Sequence, residues 1–570
     1  KTNIPFLENV IDNEIFQSGK ATVNFIEDHP KLFELDIRMD RGTKILKYIA
    51  DMTVNGNPDV KYHDLNIVFH HPKVPPCKKY EDAEAGSKQL LDKLGPGEFS
   101  KWLKKEKKIH YTDTTFRDAH QSLIATRVRT KDMMAVAESF AKNHPNFFSM
   151  EVWGGATFDV SMRFLKEDPW KRLQLFREHI PNTLLQMLLR ASNAVGYTAY
   201  PDNLVIRFIE KAAEKGIDVF RIFDSLNWID NMKVSIKTVR ENTNSIAEAC
   251  ICYTGDITDP GKKKYSLQYY LDLAKALEDE GAHILAIKDM AGLLKPDAAE
   301  ILISELKNTI DIPIHLHTHD TSGAQMTTYL KALNAGVDVM DVALASMSGL
   351  TSQPNFNSFH EIIKNHERHQ DFDIEKLNAF SRYWESVRRF YYPFESDLKS
   401  GTSSVYEHEI PGGQYSNLGP QARSLGLDDR MEEITAKYAE VNQLFGDIVK
   451  VTPSSKVVGD MALYLVSNNL SIQDVLDRGS EISFPDSVKS FFRGELGQPY
   501  QGFPKKIQKI VLKDEKPFTS RPNAKLKPIN FENEMKEFHK QFDSSLSEEE
   551  FISYKLYPKV FKDFYEHQKK

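Results

Sequence analysis

Three histidines alternate along one short segment of the chain, His315, His317 and His319, and Asp320 follows them. Alternate side chains of a β-strand point to the same face, about 6–7 Å apart for each step of two residues. A neighbouring pair on that face can hold one metal ion through imidazole nitrogens. A polar strand end, with histidines bonded to backbone carbonyls, is the alternative. Because three histidines share the face, we favour a metal site.

Other charged side chains could complete such a site. Two histidines and a carboxylate suit Zn²⁺, Mn²⁺ or Co²⁺, and Asp118 is a good carboxylate candidate. Lys288 is unusual in this company because an ammonium repels a metal ion. A neutral amine in a dry site can instead take up CO2 and become an anionic carbamate ligand. An ion pair with Asp289, or with a substrate carboxylate, explains Lys288 equally well on chemistry alone.

Two arginines and a glutamine indicate a small keto acid as substrate. Arg117 and Arg190 can each bind a carboxylate through two hydrogen bonds. Gln121 lies one helical turn beyond Arg117 and can bind a carbonyl or enolate oxygen. Together with a metal ion, these side chains suit a reaction in which an enolate is stabilised.

These residues need a scaffold that brings them together, and the pattern from residue 109 onwards predicts one. Short apolar segments alternate with helical stretches, which predicts a TIM barrel over about 109–365. A doubly wound open sheet is the alternative, but it needs a glycine-rich phosphate fingerprint that we do not find. The predicted strands are Ile109–Thr112, Phe147–Val152, Leu184–Leu189, Val219–Phe223, Ile246–Tyr253, His283–Ile287, Ile314–His317 and Val337–Ala343.

The candidate residues follow the carboxyl ends of the predicted strands, where TIM barrels carry their active sites. Burying so many charges without partners would be costly, so their gathering on one rim is itself evidence for a site. The segments concerned are Asp113–Gln121, Trp153–Asp159, Arg190–Tyr197, Asp224, Lys288–Met290 and the three histidines.

The sequence after the barrel predicts mainly helices. Residues 373–490 show helical spacing of apolar side chains, interrupted by irregular turns at 410–414 and 451–456. Residues 492–530 are rich in Gly, Pro and Lys, which predicts a linker or loosely paired strands. The aromatic stripes of 531–570 predict packing rather than a cofactor site.

Bulk composition narrows the class of protein. A chain of 570 residues predicts two to four domains. A net charge of -7 gives no case for nucleic acid, and no apolar run reaches membrane-spanning length. We find no signal-peptide pattern and only three cysteines, Cys77, Cys250 and Cys252. We therefore expect reduced thiols in a cytoplasmic protein.

Several long motifs in one order make the chain resemble the pyruvate carboxylase family over essentially its whole length. The sister enzymes, oxaloacetate decarboxylase α subunit and transcarboxylase subunit, share the barrel motifs but not the flanks. The motifs are Asp113–Ser122, Trp153–Asp159, Leu189–Tyr197, Ile287–Leu293, His315–Asp320, Ser346–Pro354, Pro411–Tyr415 and Val451–Lys456.

The resemblance implies a biotin-dependent carboxyltransferase that moves CO2 from carboxybiotin to pyruvate through a metal-stabilised enolate and forms oxaloacetate, as in anaplerosis and gluconeogenesis. Thr452 matches the residue that shuttles a proton between biotin and the pyruvate methyl, although a helix N-cap ahead of Pro453 is the structural alternative. His315 is then a bystander.

The implied metal ligands for Mn²⁺ or Zn²⁺ are Asp118, carboxylated Lys288, His317 and His319. The implied catalytic residues are Arg117, Asp118, Lys288 and Thr452. The implied substrate-binding residues are Arg117, Asp118, Ala119, His120, Gln121, Arg190 and Thr452. The implied biotin-binding residues are Asp159, Tyr197, Ser455 and Lys456.

The resemblance also implies a domain plan. We expect the end of a biotin carboxylase domain in 1–35 and the carboxyltransferase domain in 109–499, with its helical funnel at about 373–490. A smaller α+β allosteric or tetramerisation domain would be built from 36–108 and 500–570. The chain lacks an initiator Met, an ATP-grasp-sized region and an Ala-Met-Lys-Met biotinylation motif, so we expect a fragment.

The expected partners follow from that plan. They are the biotin carboxylase and biotinyl domains of a full-length ATP-dependent enzyme, further copies in a dimer or tetramer, and acetyl-CoA as a possible allosteric ligand. Two other functions stay open. A metal-dependent aldolase or synthase-type lyase on a related barrel needs the two histidines but neither the carbamate nor Thr452. The intact rim argues against a non-catalytic assembly fragment.

Overall fold

The computed structural model describes residues 3–34, 41–55, 68–77, 83–396 and 398–569, in two compact units, Lys1–Val68 and Phe69–Lys570. The first unit is helical in its described part, and Val10, Phe25 and Leu32 form its small core. Among the described residues, no helix combines the length and the apolar character needed to cross a bilayer. The helices of this unit are α1 (Ile4–Asp12), α2 (Glu14–Gln17), α3 (Phe25–Asp28), a 3₁₀ turn (Pro30–Phe33) and α4 (Arg41–Asn55).

The second unit is built on a closed barrel of eight parallel strands, which confirms the predicted fold class. The strands pair in chain order, and the last strand pairs with the first. Every predicted strand is present, with its ends shifted by at most a few residues. The strands are β1 (His110–Asp113), β2 (Ser149–Gly154), β3 (Leu184–Leu189), β4 (Val219–Ile222), β5 (Ile246–Cys252), β6 (Ile284–Asp289), β7 (Ile314–Thr318) and β8 (Val339–Val342).

Helices pack around the barrel and across its amino end, with their apolar residues buried. Some begin at side-chain caps, such as Asp168 accepting from Trp170 N and Ser266 accepting from Tyr269 N. They are α5 (Ser87–Leu94), α6 (Pro96–Lys105), α7 (His120–Leu123), α8 (Thr130–Asn143), α9 (Ala156–Val160), α10 (Pro169–His179), α11 (Asp202–Glu214), α12 (Ile229–Asn242), α13 (Leu267–Asp279), α14 (Pro296–Thr309), α15 (Gln325–Asn334), α16 (Phe356–Ile362) and α17 (Ile374–Arg388). Shorter 3₁₀ or π-helical turns are Thr115–Ala119, Ser161–Leu165, Ala191–Asn193, Ala345–Met347 and Arg389–Phe394.

Helices α5 and α6 close the amino end of the barrel. Leu91, Phe99 and Leu103 are buried and belong to one apolar cluster with residues at the beginnings of the strands. Those strand residues are Phe148, Leu184, Val219, Ile246, Ile284 and Val339. The carboxyl end of the barrel is therefore the end that is open for a functional site. The predicted domain boundary at residue 109 stays a prediction.

A helical extension with its own apolar core follows the barrel, as the sequence predicted for 373–490. Two details differ. Residues 410–414 are a turn only at their start, because a helix begins at Gly412. Residues 492–530 are not merely linker or paired strands, because Ile507, Val511 and Leu512 lie on the buried face of a helix. Its helices are α18 (Val405–His408), α19 (Gly412–Ser424), a 3₁₀ turn (Asp428–Arg430), α20 (Met431–Leu444), α21 (Ser454–Ser467), α22 (Ile472–Arg478), α23 (Asp486–Arg493) and α24 (Lys505–Leu512).

The end of the chain packs back onto the barrel. Trp170 Nε1 donates to Ser553 Oγ at 2.9 Å, and Tyr557 OH donates to Val195 O at 2.6 Å. Phe551 and Phe561 are buried in the barrel's cluster, so the aromatic stripes are packing residues, as predicted. The regular elements in the described parts of the two terminal segments are helices. The strands of an α+β domain stay a prediction. The elements are a 3₁₀ turn (Asn523–Lys525), α25 (Phe531–Gln541), α26 (Glu548–Leu556) and α27 (Pro558–Gln568).

Candidate active site

A cluster of possible metal ligands lies at the carboxyl end of the barrel. His317 lies on β7, His319 follows that strand, and Asp118 belongs to the π-helical turn after β1. The two Nε2 atoms are 3.1 Å apart, and Asp118 Oδ2 lies 3.4 Å from each of them. These donor atoms are close enough to bind one ion, and all three residues are buried. The structure thus brings together three of the four predicted metal ligands.

Hydrogen bonds to the other ring nitrogens orient both histidines. His319 Nδ1 donates to Thr351 O at 2.6 Å, and His317 Nδ1 bonds Asp341 Oδ2 at 2.5 Å. Burial lowers the pKa of His317 well below its ordinary value, and the Lys288 amine lowers it further. The imidazole of His317 is therefore neutral, with the Nε2 lone pair available to a metal ion.

Asp118 is held as a charged carboxylate. Burial alone would raise its pKa, but Arg117 and His319 hold the pKa well below its ordinary value. Arg117 Nη1 lies 3.1 Å from Asp118 Oδ1, and Gln353 Nε2 donates to Asp118 Oδ2 at 3.0 Å. The neutral imidazole of His317, the imidazole of His319 and one anionic oxygen are a donor set that divalent transition metals accept.

Lys288, the fourth predicted ligand, reaches the same cluster from the end of β6. Its Nζ lies 3.1 Å from His317 Nε2, and the residue is 3% exposed. Asp289 is engaged elsewhere, since it accepts from the backbone of Leu293 and Leu294 and from Thr318 Oγ1. No ion pair joins Lys288 to Asp289 in the described part of the chain. Pairing with Asp289 therefore does not explain this lysine, whereas pairing with a substrate carboxylate remains.

His315 lies one step deeper and belongs to a different group of contacts. Its Nδ1 is 2.7 Å from Glu248 Oε2, and its Nε2 is 2.7 Å from Asp341 Oδ1. Burial alone would lower the pKa of His315, but the Glu248 and Asp341 carboxylates raise it above its ordinary value. Both ring nitrogens are occupied, which suits the predicted role of a bystander.

The residues around His315 form a charged network inside the barrel that the sequence analysis missed. Arg221 pairs with Glu248 and with Asp341, and Arg117 Nη2 lies 2.6 Å from Glu151 Oε1. All of these side chains are fully buried. The available signal was a charged residue inside each of four otherwise apolar strands, because such a charge must find a partner there.

Besides the ligand cluster there is a cavity of about 620 Å³, lined by residues of the barrel and of the helical extension and by none of the four candidate ligands. Gln121 joins the two, because its Oε1 accepts from Arg117 Nη1 at 3.3 Å and Arg117 in turn contacts Asp118. Arg190 donates to Val195 O at 2.5 Å and stacks 4.8 Å from the centre of the Tyr197 ring. The predicted site residues that line this cavity are Gln121, Asp159, Arg190, Tyr197, Thr452 and Lys456.

Three predicted site residues face elsewhere. Ala119 and His120 are fully buried, and His120 Nε2 bonds Phe116 O at 3.0 Å. Ser455 is fully buried and does not line the cavity. The helical turn that brings Arg117, Asp118 and Gln121 to the rim rotates Ala119 and His120 into the protein, because residues on one turn point in different directions.

The loop that carries Thr452 is fixed to the barrel by buried charges. Lys450 Nζ lies 2.8 Å from Glu409 Oε2 and donates to Thr254 Oγ1 of the barrel at 3.2 Å. Glu409 also pairs with Lys262 at 2.9 Å. Burial alone would raise the pKa of Glu409, but Lys450 and Lys262 lower it to about 2. Thr452 therefore stands on a loop held at both the barrel and the extension.

Comparison with known proteins agrees with this geometry. Residues 108–383 match the family model described as HMGL-like, and residues 405–570 match the model described as a conserved carboxylase domain. The pyruvate carboxylase of Bacillus subtilis is 53% identical over 564 residues, which cover 99% of this chain and 49% of that protein. The chain spans about half the length of the curated relatives it matches.

Solved structures give the same result over most of their length. The carboxyl transferase domain of Rhizobium etli pyruvate carboxylase is 52% identical with a TM-score of 0.87, covering 93% of this chain and 89% of that one. The same domain solved with pyruvate and biocytin is 53% identical with a TM-score of 0.87, over 92% and 88% of the two chains. The chain belongs to the pyruvate carboxylase family, in the region of its carboxyltransferase domain.

Proposed function

We propose that the chain transfers CO2 from carboxybiotin to pyruvate and so forms oxaloacetate. The observation that carries this proposal is the continuous line of contacts from the cavity to the ligand cluster. Gln121 lines the cavity, bonds Arg117, and through it reaches Asp118 beside the two histidines. The solved Rhizobium etli domain with pyruvate and biocytin supports these two substrates.

A divalent metal fits the cluster, with Asp118, His317, His319 and Lys288 as the residues that would hold it. We propose Mn²⁺ or Zn²⁺, because two imidazole nitrogens and a charged carboxylate suit either ion. When bound, such an ion supplies electrostatic stabilisation of the negative charge on an enolate oxygen. Carboxylation of Lys288 would turn its cationic amine into an additional anionic ligand.

The remaining chemistry falls to the chain's own side chains. Arg190 and Gln121 bind the carboxylate and the keto oxygen of pyruvate, and Arg117 keeps Asp118 charged. Thr452 Oγ takes a proton from the pyruvate methyl and passes its own to the ureido nitrogen that is freed when carboxybiotin loses CO2. The enolate carbon then attacks CO2. A neutral alcohol is a poor base in water, so Thr452 acts only as a positioned relay.

Asp159, Tyr197 and Lys456 are proposed to bind the biotin ring because they line the cavity beside Thr452. Ala119, His120 and Ser455 are retained as supports of the site rather than as contacts. Their side chains are fully buried, away from the cavity lining. Direct contact by any of them would require the helical turns that carry them to move.

We further propose that the chain works with a biotin carboxylase domain and a biotinyl domain. The complete Rhizobium etli pyruvate carboxylase supports this, since the match covers 99% of this chain and 52% of that one. A dimer or tetramer, an allosteric effect of acetyl-CoA and a cytoplasmic location are parts of the same proposal. Sedimentation with and without acetyl-CoA tests the first two, and cell fractionation tests the third.

The decisive experiment is oxaloacetate decarboxylation, the reverse half-reaction, with the Mn²⁺-loaded chain and free biotin. We expect pyruvate formation that requires biotin and is lost when the metal is chelated. A folded, metal-loaded chain with no biotin-dependent activity would contradict the proposal. An aldolase or lyase on the HMGL-like barrel is the second candidate, and it would cleave a keto-acid substrate equally well without biotin.

A further inference from the structure

Helix α19 connects the metal cluster to the cavity. At its beginning, Gly412 N–H donates at 3.0 Å to the carbonyl oxygen of Met290, which follows the strand that carries Lys288. A Cβ at Gly412 would lie 2.7 Å from Thr351 O, the carbonyl that accepts from His319 Nδ1. Only glycine permits this approach. The position of α19 is therefore tied to the loops that orient two of the candidate ligands.

Two residues further along α19, the side chain of Gln414 faces the cavity, and its burial and hydrogen bonding are unusual. It lines the cavity, yet it is only 8% exposed. Its amide nitrogen is buried and has no hydrogen-bond partner among the described residues. A buried amide without a partner is costly, and natural proteins rarely keep one unless it serves a purpose.

The neighbouring helix makes room for this amide. A Cβ built on Gly459 of α21 would lie 2.8 Å from Gln414 Nε2 and 3.8 Å from its Cδ. A glycine in a helix interior is otherwise unfavourable by comparison with alanine. The absence of a side chain at Gly459 therefore allows the amide of Gln414 to lie where it does.

Other polar atoms of the same cavity wall have no partner among the described residues, and they show which ligand fits. Arg190 Nε is a donor, whereas Asp159 Oδ1 and Gln421 Oε1 are acceptors. A keto acid carries only acceptors and cannot satisfy the last two. A cyclic urea carries a carbonyl acceptor and ring N–H donors, so it matches a wall with both kinds of group.

We propose that Gln414 is a binding residue for the cyclic urea of biotin, held in place by Gly459. This inference rests on the proposed function and adds a contact to it. The Gln414 amide donates to the ring carbonyl, while Arg190 and Gln121 remain available for the keto acid. The two substrates thus bind through different side chains of one cavity.

The test is biocytin binding to the metal-loaded chain, measured by calorimetry. Gln414→Met keeps the length of the side chain and removes the amide, so we expect biocytin to bind roughly tenfold more weakly. Metal content and pyruvate affinity should stay within about twofold of the parent chain. Gln414→Met with unchanged biocytin affinity would overturn the role of Gln414 alone. A parent chain that does not bind biocytin would overturn the proposed function as well.

Gly459→Ala gives an independent test in which Gln414 itself is retained. The added methyl should displace the amide and weaken biocytin binding severalfold, while the unfolding temperature is maintained or rises because alanine favours a helix. Gly419→Ala is the matched control, since a Cβ there meets nothing within 4 Å. Equal biocytin affinities in the two alanine variants would contradict the positioning role of Gly459.

Discussion

At the scale of single residues, the chemical role of a side chain depends on which of its polar atoms are not already engaged by neighbouring residues. Lys288 illustrates this, because its neighbour Asp289 is saturated by backbone and threonine donors. The lysine amine is left 3.1 Å from a histidine nitrogen of the ligand cluster. A cation beside a metal ion is unfavourable, so a metal-bound state favours conversion of the amine to a carbamate.

The first residue-scale prediction therefore concerns Lys288. With Mn²⁺ or Zn²⁺ and bicarbonate present, intact mass or electron density should show one added carboxylate on Lys288. Metal affinity should fall at least tenfold in CO2-free buffer, because an anionic ligand is replaced by a cation. Equal affinity with and without CO2, together with an unmodified lysine, would contradict the ligand assignment.

The second residue-scale prediction separates the two roles of Thr452. Thr452→Ala should lower biotin-dependent oxaloacetate decarboxylation by about 10²-fold or more, because no hydroxyl remains to relay the proton. Thr452→Ser is the matched variant and should retain most of the activity. Metal content, measured by elemental analysis, should be unchanged in both variants. If Thr452→Ala instead loses metal or unfolds, the residue is structural.

At the scale of elements, strand β7 and the residue that follows it carry three histidines with three different surroundings. The pleat of the strand points the three histidine side chains to one face, as the sequence predicted, but each side chain lies at a different depth in the barrel. His315 lies between the carboxylates of Glu248 and Asp341, whereas His317 and His319 meet at the rim. Asp341 contacts both levels, since it also bonds His317 Nδ1. One strand therefore supplies both the site and its support.

This arrangement gives an element-scale prediction. His317→Gln and His319→Gln should each lower metal affinity by at least about 10²-fold, because each loses a ligand. His315→Gln should keep metal affinity within about tenfold. It should instead lower the free energy of unfolding by about 3–5 kcal/mol, because two buried carboxylates lose a partner. Metal analysis and denaturant titration check both parts. A His315 variant that loses metal as completely as its neighbours would refute the distinction.

At the scale of the whole molecule, buried histidines distant from the cluster make stability depend on pH. Burial lowers the pKa of His110, at the amino end of the barrel, to about 4. Burial likewise lowers the pKa of His408, in the helical extension, to about 4. The folded pKa is below the unfolded value of 6.5, so this stability is fully present above pH 6.5. It is lost progressively as the pH falls toward 4.

The molecular-scale prediction is a fall in unfolding temperature between pH 7 and pH 5. Each such histidine contributes about 2 kcal/mol to this loss at pH 5. His110→Phe keeps the ring that packs on Trp102, 5.5 Å away between ring centres, and removes the titrating group. The variant should therefore lose less stability on acidification than the parent chain. Parallel curves for the two proteins, measured by calorimetry, would rule out His110 as a cause.

The sequence by itself determined the barrel and its rim, and it indicated candidate metal ligands. Strand periodicity and the rule that barrel sites follow strand ends are local information, and they placed Asp118, Lys288 and the three histidines on one rim. The family resemblance then selected His317 and His319. The helix Lys505–Leu512 was missed because glycines and prolines around it suggested a linker. Its few buried apolar residues gave too short a periodic signal.

Only the tertiary structure decided what each of these residues contacts. The charges of Arg221, Glu248 and Asp341 come from three strands far apart in sequence and meet only when the barrel closes. The same closure assigned His315 to that network, and it left the Gln414 amide nitrogen with no hydrogen-bond partner in the part of the chain that the structure describes. Which side chains meet across the barrel depends on the register of the strands and on the depth of each residue, and no single segment of the sequence encodes these. Residue type and spacing therefore indicate a site, and packing assigns the roles within it.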